Sequence, residues 1–192
     1  GLPKLDLLGI RALTVLADAV ELVRRYHNPG FTLEALPLDD AATADLLRRG
    51  ETVGVFQCES TGAQRTLRQL RARTVRDLAV ANAFFKPGPA TGGMAAHFVR
   101  RYRGEEPVVY LHPALEPILH GTSGVLLFQE QILRVAREVA GLSWEEADHL
   151  RRGMSHFRGA EMDAIRERFV AGCRRSPPAG PGMTQTEAQT LW

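Results

Sequence analysis

Clusters of asparagine, proline and glycine cut this chain into short segments, and each cut stands where a helical pattern runs out. His27-Asn28-Pro29-Gly30, Gly50, Lys86-Pro87-Gly88-Pro89, Gly141 and the Pro- and Gly-rich stretch 176–183 are the main breaks. Between the breaks, apolar residues recur at three- and four-residue steps, the spacing of one helix face. Leu13, Leu16, Val20 and Val23 predict a helix over 9–26. Asp39 or Asp40 is placed to N-cap a helix that reaches Leu47 and closes at Gly50. Helices are also predicted over 61–71, 75–85, 94–102, 129–140, 160–174 and 184–192. Ser143-Trp144-Glu145-Glu146 is a capping box, and the helix it opens turns Ala147, Leu150 and Met154 inward. Two apolar runs, 53–57 and 125–128, predict short strands, and 107–110 reads as extended. Pro117 limits 115–119 to a short helix. The expected fold class is mainly α with a few short β-strands.

Length and composition set outer bounds. The chain has 192 residues, 44% of them hydrophobic and 24% charged, which suits a folded domain rather than a disordered one. Charges break every apolar run well short of a bilayer span, and the opening Gly-Leu-Pro-Lys-Leu-Asp has no signal-peptide pattern. A cytoplasmic protein with no membrane partner is expected. Cys58 and Cys173 form no metal-ligand spacing, so both are expected to be reduced thiols. No P-loop, HExxH, GxSxG or zinc-finger spacing occurs, which removes many enzyme classes. The missing initiator methionine, and an end at Trp192 inside a helical pattern, suggest a fragment.

The net charge of +2 hides an uneven distribution. Lys4 and Lys86 are the two lysines; the remaining cations are arginines. Arg65, Arg68, Arg71, Arg73 and Arg76 crowd one helix and its exit, Arg100, Arg101 and Arg103 end another, and Arg151 and Arg152 lie on the capped helix. Each cluster alone reads as a solvated face. Three clusters on separate helices also suit a composite basic surface that would bind phosphates in a salt-dependent way.

Individual polar residues keep two readings. Asp6, in Lys4-Leu5-Asp6-Leu7-Leu8-Gly9, is either a helix N-cap or a carboxylate metal ligand with Lys4 beside it as a phosphate contact. Lys86 sits on a rigid turn as its one cation. Gln57, Glu59 and Ser60 follow an apolar run, where they either meet a ligand or cap the next helix. Gln129 opens the helix after 125–128. His112 before Pro113 reads as a structural hydrogen-bonding residue.

An ordered series of blocks carries a family resemblance. Lys4-Leu5-Asp6-Leu7-Leu8-Gly9, Gly54-Val55-Phe56-Gln57-Cys58-Glu59-Ser60 and Lys86-Pro87-Gly88-Pro89 come first. His112-Pro113 with Leu115-Glu116-Pro117, Phe128-Gln129-Glu130-Gln131, and Ala147-Asp148 with Leu150-Arg151-Arg152 and Met154 follow. In this order they resemble the end of the palm and the fingers of bacterial C-family DNA polymerases, the family of the DNA polymerase III alpha subunit. The resemblance implies residues 1–12 as the end of the palm and 13–192 as fingers, truncated at both ends. It implies that Asp6 is the third of three aspartates binding two magnesium ions; the Asp-x-Asp pair supplying the other two does not occur here. It further implies that Lys4, Arg151 and Arg152 face the triphosphate of a deoxynucleoside triphosphate, with Gln57, Lys86, Gln129, Arg65 and Arg68 as weaker candidates for DNA or nucleotide contact. Primer-template DNA and other replicase subunits are the implied partners, and the isolated chain is expected to be inactive. Lys86 stands where the family has arginine, and Met154-Ser155-His156-Phe157 differs from its usual lysine-rich string. Two rival readings remain: a non-catalytic helical nucleic-acid-binding module, and an interaction domain whose arginines pair with carboxylates.

Overall fold

The computed structural model describes residues 4, 5, 7, 9–84, 94–156 and 160–192, and the readings for Asp6, Lys86 and the Met154 side chain lie outside the described residues. Helices follow one another along the chain: α1 (Arg11–Tyr26), α2 (Ala41–Arg49), α3 (Thr61–Leu70), α4 (Val75–Phe84), α5 (Met94–Tyr102), the single turn α6 (Glu116–Leu119), α7 (Gln129–Arg134), α8 (Trp144–His156), α9 (Ala160–Cys173) and α10 (Gln185–Leu191). Local chemistry sets most of these ends. Asp40 rather than Asp39 caps α2, its Oδ2 accepting from Thr43 N at 2.7 Å, and Gly50 closes the helix at φ +65°. A side chain at Gly50 would also meet the Gln64 carbonyl of α3, so the close approach of α2 to α3 needs glycine there. Thr74 and Asp77 exchange side-chain and backbone hydrogen bonds at the start of α4, as Thr184 and Glu187 do at α10. His112 Nδ1 accepts from Ala114 N at 3.2 Å, the structural role expected of it.

Two apolar cores form. One gathers Leu47, Leu67, Leu70, Val80, Phe84 and Phe98 from α2 to α5, with Phe84 and Phe98 stacked at 4.5 Å. The other gathers Leu115, Ile118, Val135, Val139, Leu150, Ile165 and Phe169 from α6 to α9. Residues 125–128 lie between the two. Val125, Leu127 and Phe128 pack on the first core and Leu126 on the second. Leu126 faces away from Val125 and Leu127, so one short segment ties both cores together.

No strand forms among the described residues, which corrects the expectation of a few β-strands. At 53–57 the backbone turns twice instead of extending. Gly54 and Gln57 both adopt positive φ, +83° and +59°, and the amides of Val55 and Cys58 bond to the carbonyls of Thr52 and Val55. The buried Thr52 hydroxyl donates to the Cys58 carbonyl at 2.6 Å and closes the loop. Residues 125–128 take no regular structure, with Phe128 extended, and among the described residues they find no neighbouring strand. Side chains satisfy their backbone instead. Gln131 Oε1 accepts from the amides of Leu127 at 2.9 Å and Phe128 at 3.0 Å, and the Thr122 hydroxyl donates to the Val125 carbonyl at 2.7 Å. Gln131 is itself buried, and its Nε2 donates to Thr122 Oγ1 and to the Ile118 carbonyl.

Two helices also differ in detail. The helix expected over 129–140 changes from α to π winding at Val135–Val139, and ends with Leu142 N bonded to the Ala136 carbonyl. The apolar face of α1 meets no core: none of its residues is buried, and Leu13 is 63% exposed.

Candidate functional site

The strongest convergence of expected site residues is on α8. Ser143 and Glu146 cap this helix, with Ser143 N donating to Glu146 Oε2 at 2.6 Å and Glu146 N to Ser143 Oγ at 3.1 Å. Ala147 and Leu150 bury into the second core. Three- and four-residue spacing then brings Asp148, Arg151 and Arg152 together on the outer side. Asp148 Oδ1 accepts from Arg151 Nε at 3.0 Å and Nη2 at 2.7 Å, while Oδ2 lies 2.9 Å from Arg152 Nη2. Arg151 Nη1 reaches Gln129 Oε1, at the start of α7, at 3.4 Å. Two guanidiniums thus share one carboxylate, and an amide from a second helix joins them. Hydrogen bonding from Arg151, with the charge of both arginines, holds the Asp148 carboxyl below the usual carboxylate range. Among the described residues the group carries one uncompensated positive charge, and it faces solvent, an arrangement suited to a phosphate.

The other expected residues fall elsewhere. Arg65 and Arg68 are exposed one turn apart on α3, and among the described residues neither meets a carboxylate. Gln57 lies in the turn that precedes α3, exposed and at positive φ. Lys4 is exposed.

Several arginines expected on a basic surface are paired instead. Arg100 and Arg101 both contact Glu106, at 2.9 and 3.3 Å, and Arg103 and Arg71 contact Glu105, at 2.7 and 3.7 Å. Hydrogen bonds from His97 and then Arg100 bring the Glu106 carboxyl down to about 2. Arg76 donates to the Gly121 carbonyl at 2.9 Å, bridging α4 to the turn after α6. Asp148, Glu105, Glu106 and Gln131 have roles here that sequence reasoning missed. The spacing of Asp148 to Arg151 and Arg152 was a usable signal, and so was Gly104, whose φ of +71° ends α5 and turns Glu105 and Glu106 back toward it.

Both cysteines are buried and free, and burial raises both thiols, that of Cys173 to about 11, so neither is a reactive thiolate at neutral pH. Among the described residues no three His, Cys, Asp or Glu side chains converge to hold a metal, and no helix is long and apolar enough to cross a membrane.

Residues 12–176 match the family model of the bacterial DNA polymerase III alpha subunit finger domain. The chain belongs to this family. It is 43% identical over 175 residues, 91% of its length, to the DNA polymerase III subunit alpha of Halalkalibacterium halodurans. It is 41% identical over 197 aligned residues, covering 100% of the chain, to the same subunit of Thermus aquaticus. It is 43% identical over 194 aligned residues, again its full length, to the error-prone DNA polymerase of Symbiobacterium thermophilum. The chain spans only 16–17% of these relatives. Proteins named DNA polymerase III subunit alpha and error-prone DNA polymerase match it at similar identity, so what it shares with them is common to both.

Proposed function

We propose that this chain forms the fingers of a DNA-directed DNA polymerase and holds the phosphates of an incoming deoxynucleoside triphosphate on α8. In that reaction a primer 3′ hydroxyl attacks the α-phosphate and pyrophosphate leaves. The observation that carries the proposal is the convergence of Arg151, Arg152 and Gln129 with one positive charge left over. Arginine suits the role because its planar fork binds two phosphate oxygens at once and stays charged as phosphate charge develops. Lys4 is assigned to the same triphosphate. Arg65 and Arg68, with Gln57 and Lys86 as weaker members, are assigned to the primer-template. Their support is the carboxylate-free arginine face of α3 and the family's printed activity.

Residues 1–12 are assigned to the palm and 13–192 to the fingers. Magnesium enters as a requirement of the longer protein, with Asp6 as one ligand. A single carboxylate is too few to hold two ions, so further carboxylates must complete the site. Other replicase subunits would bind outside this chain, and a cytoplasmic location is assigned with this function.

The test is Arg151→Ala in a full-length polymerase carrying this chain. The KM for deoxynucleoside triphosphates should rise about tenfold or more, the loss of one charge-assisted bidentate contact. An unchanged KM and kcat would take Arg151 out of the triphosphate site and favour a non-catalytic nucleic-acid-binding module, which would share the arginine surface but need neither Asp6 nor Lys4.

A further inference from the structure

Asp148 is the one member of the α8 group with a charge opposite to the role proposed for it. Its surroundings are unlike those of the structural carboxylates of this fold. Asp40, Asp77, Glu146 and Glu187 each accept a backbone amide at a helix start, so each caps a helix. Asp148 lies inside α8, and its hydrogen-bond partners are the two arginines. Its two oxygens are divided between them, one to each guanidinium. A phosphate group offers the same paired-oxygen geometry with more charge.

An internal comparison sharpens the point. On α2, Asp45 meets Arg48 and Arg49 at the same three- and four-residue steps, with 2.5 Å between Asp45 Oδ1 and Arg48 Nη2. There Arg49 also meets Glu51 at 3.0 Å, so two carboxylates balance two arginines. On α8 one carboxylate serves two arginines. The α2 group is neutral and closed; the α8 group is cationic and open to an added anion.

We propose that Asp148 is a resident anion that occupies the phosphate cradle of Arg151 and Arg152 and gives way when a nucleotide phosphate enters. The proposal rests on the phosphate reading of α8. Its side chain is 41% exposed, so the carboxylate can turn to solvent without being stranded in an apolar site. While in place it holds both guanidiniums on one side of the helix. Its cost is competition, because each incoming phosphate must displace two exposed ion pairs of modest strength.

The test titrates the 192-residue chain with tripolyphosphate at low salt by calorimetry. Asp148→Asn keeps the side-chain shape and removes the charge, and it should bind tripolyphosphate about two- to tenfold more tightly than the unmodified chain. Asp45→Asn leaves α2 with two arginines against Glu51, the charge balance of the unmodified α8 group, so it should tighten binding clearly less than Asp148→Asn, which leaves two arginines with no carboxylate. Weaker or equal binding by Asp148→Asn overturns the proposal and leaves Asp148 a simple orienting residue. No binding by either protein overturns it too. If the underlying phosphate reading is at fault, the result differs: replacing Arg151 and Arg152 by alanine then leaves tripolyphosphate binding unchanged.

Discussion

Replacing Gln131 by methionine should uncouple the two cores, because this one amide does the work of a missing strand. Gln131 makes four hydrogen bonds: it accepts from Leu127 N and Phe128 N at 2.9 and 3.0 Å, and donates to Thr122 Oγ1 and the Ile118 carbonyl at 2.7 and 3.3 Å. Methionine has similar length and packs comparably, so little of the loss comes from a cavity. Thr122 keeps its bond to Val125, but the two amides and the Ile118 carbonyl lose their partner. A buried polar group left unsatisfied costs about 1–3 kcal/mol. Leu127 and Phe128 are only half-buried, so water recovers part of this, and the expected destabilisation is about 3 kcal/mol. With a urea dependence of about 2 kcal/mol per molar, the unfolding midpoint should fall by roughly 1.5 M at unchanged slope. Far-UV circular dichroism in urea measures this. Gln69→Met on the exposed side of α3 is the control and should stay within about 0.5 kcal/mol. A midpoint shift under roughly 0.5 M, or unchanged hydrogen-exchange protection of the Leu127 and Phe128 amides, would refute the reasoning.

Two further outcomes are expected. Asp77 accepts from Arg73 N at 2.8 Å, Thr74 N at 2.9 Å and the Tyr102 hydroxyl at 2.5 Å. Burial pushes its carboxyl up, but these hydrogen bonds together outweigh burial and hold it below the ordinary value. A depressed folded pKa adds stability above the unfolded value of about 4 that is lost as pH falls through the folded one, so Asp77→Asn should lower stability at neutral pH by about 1 kcal/mol and flatten the acid side of the profile. Equal acid sensitivity of the two proteins in thermal melts would exclude this. Replacing Arg65 and Arg68 together by alanine should reduce the salt slope of single-stranded DNA binding by about 1.4, or roughly 0.7 for each phosphate that is no longer neutralised. Fluorescence anisotropy across a salt series reads the slope, and an unchanged value removes the α3 face from the DNA interface.

The legible parts of the fold are those whose cause is local. Asp40, Gly50, the Ser143 box and the breaks at 27–30 and 141 act within one turn of the residues they affect, so their sequence pattern suffices. The strands were misread because an apolar run of four or five residues does not state what will satisfy its backbone. At 53–57 two positive-φ residues fold the run on itself, and at 125–128 a glutamine and a threonine replace a partner strand. The α1 face was legible as apolar, but its burial depends on neighbours that the described residues do not supply.

Charge follows the same division. Arg151 and Arg152 were visible as a pair, and their link to Asp148 lies within one helical turn. The loss of Arg100, Arg101 and Arg103 from the basic surface depends on Glu105 and Glu106, which a turn after α5 folds back onto the helix. Counting arginines therefore overstates the surface that a phosphate can reach. What matters is the local balance, and it survives as net positive on α3 at Arg65 and Arg68, and on α8 where one carboxylate faces two guanidiniums. Of the two, only α8 combines an unbalanced charge with hydrogen-bonding groups from two helices, and this makes it the better candidate for a specific phosphate rather than a diffuse nucleic-acid backbone.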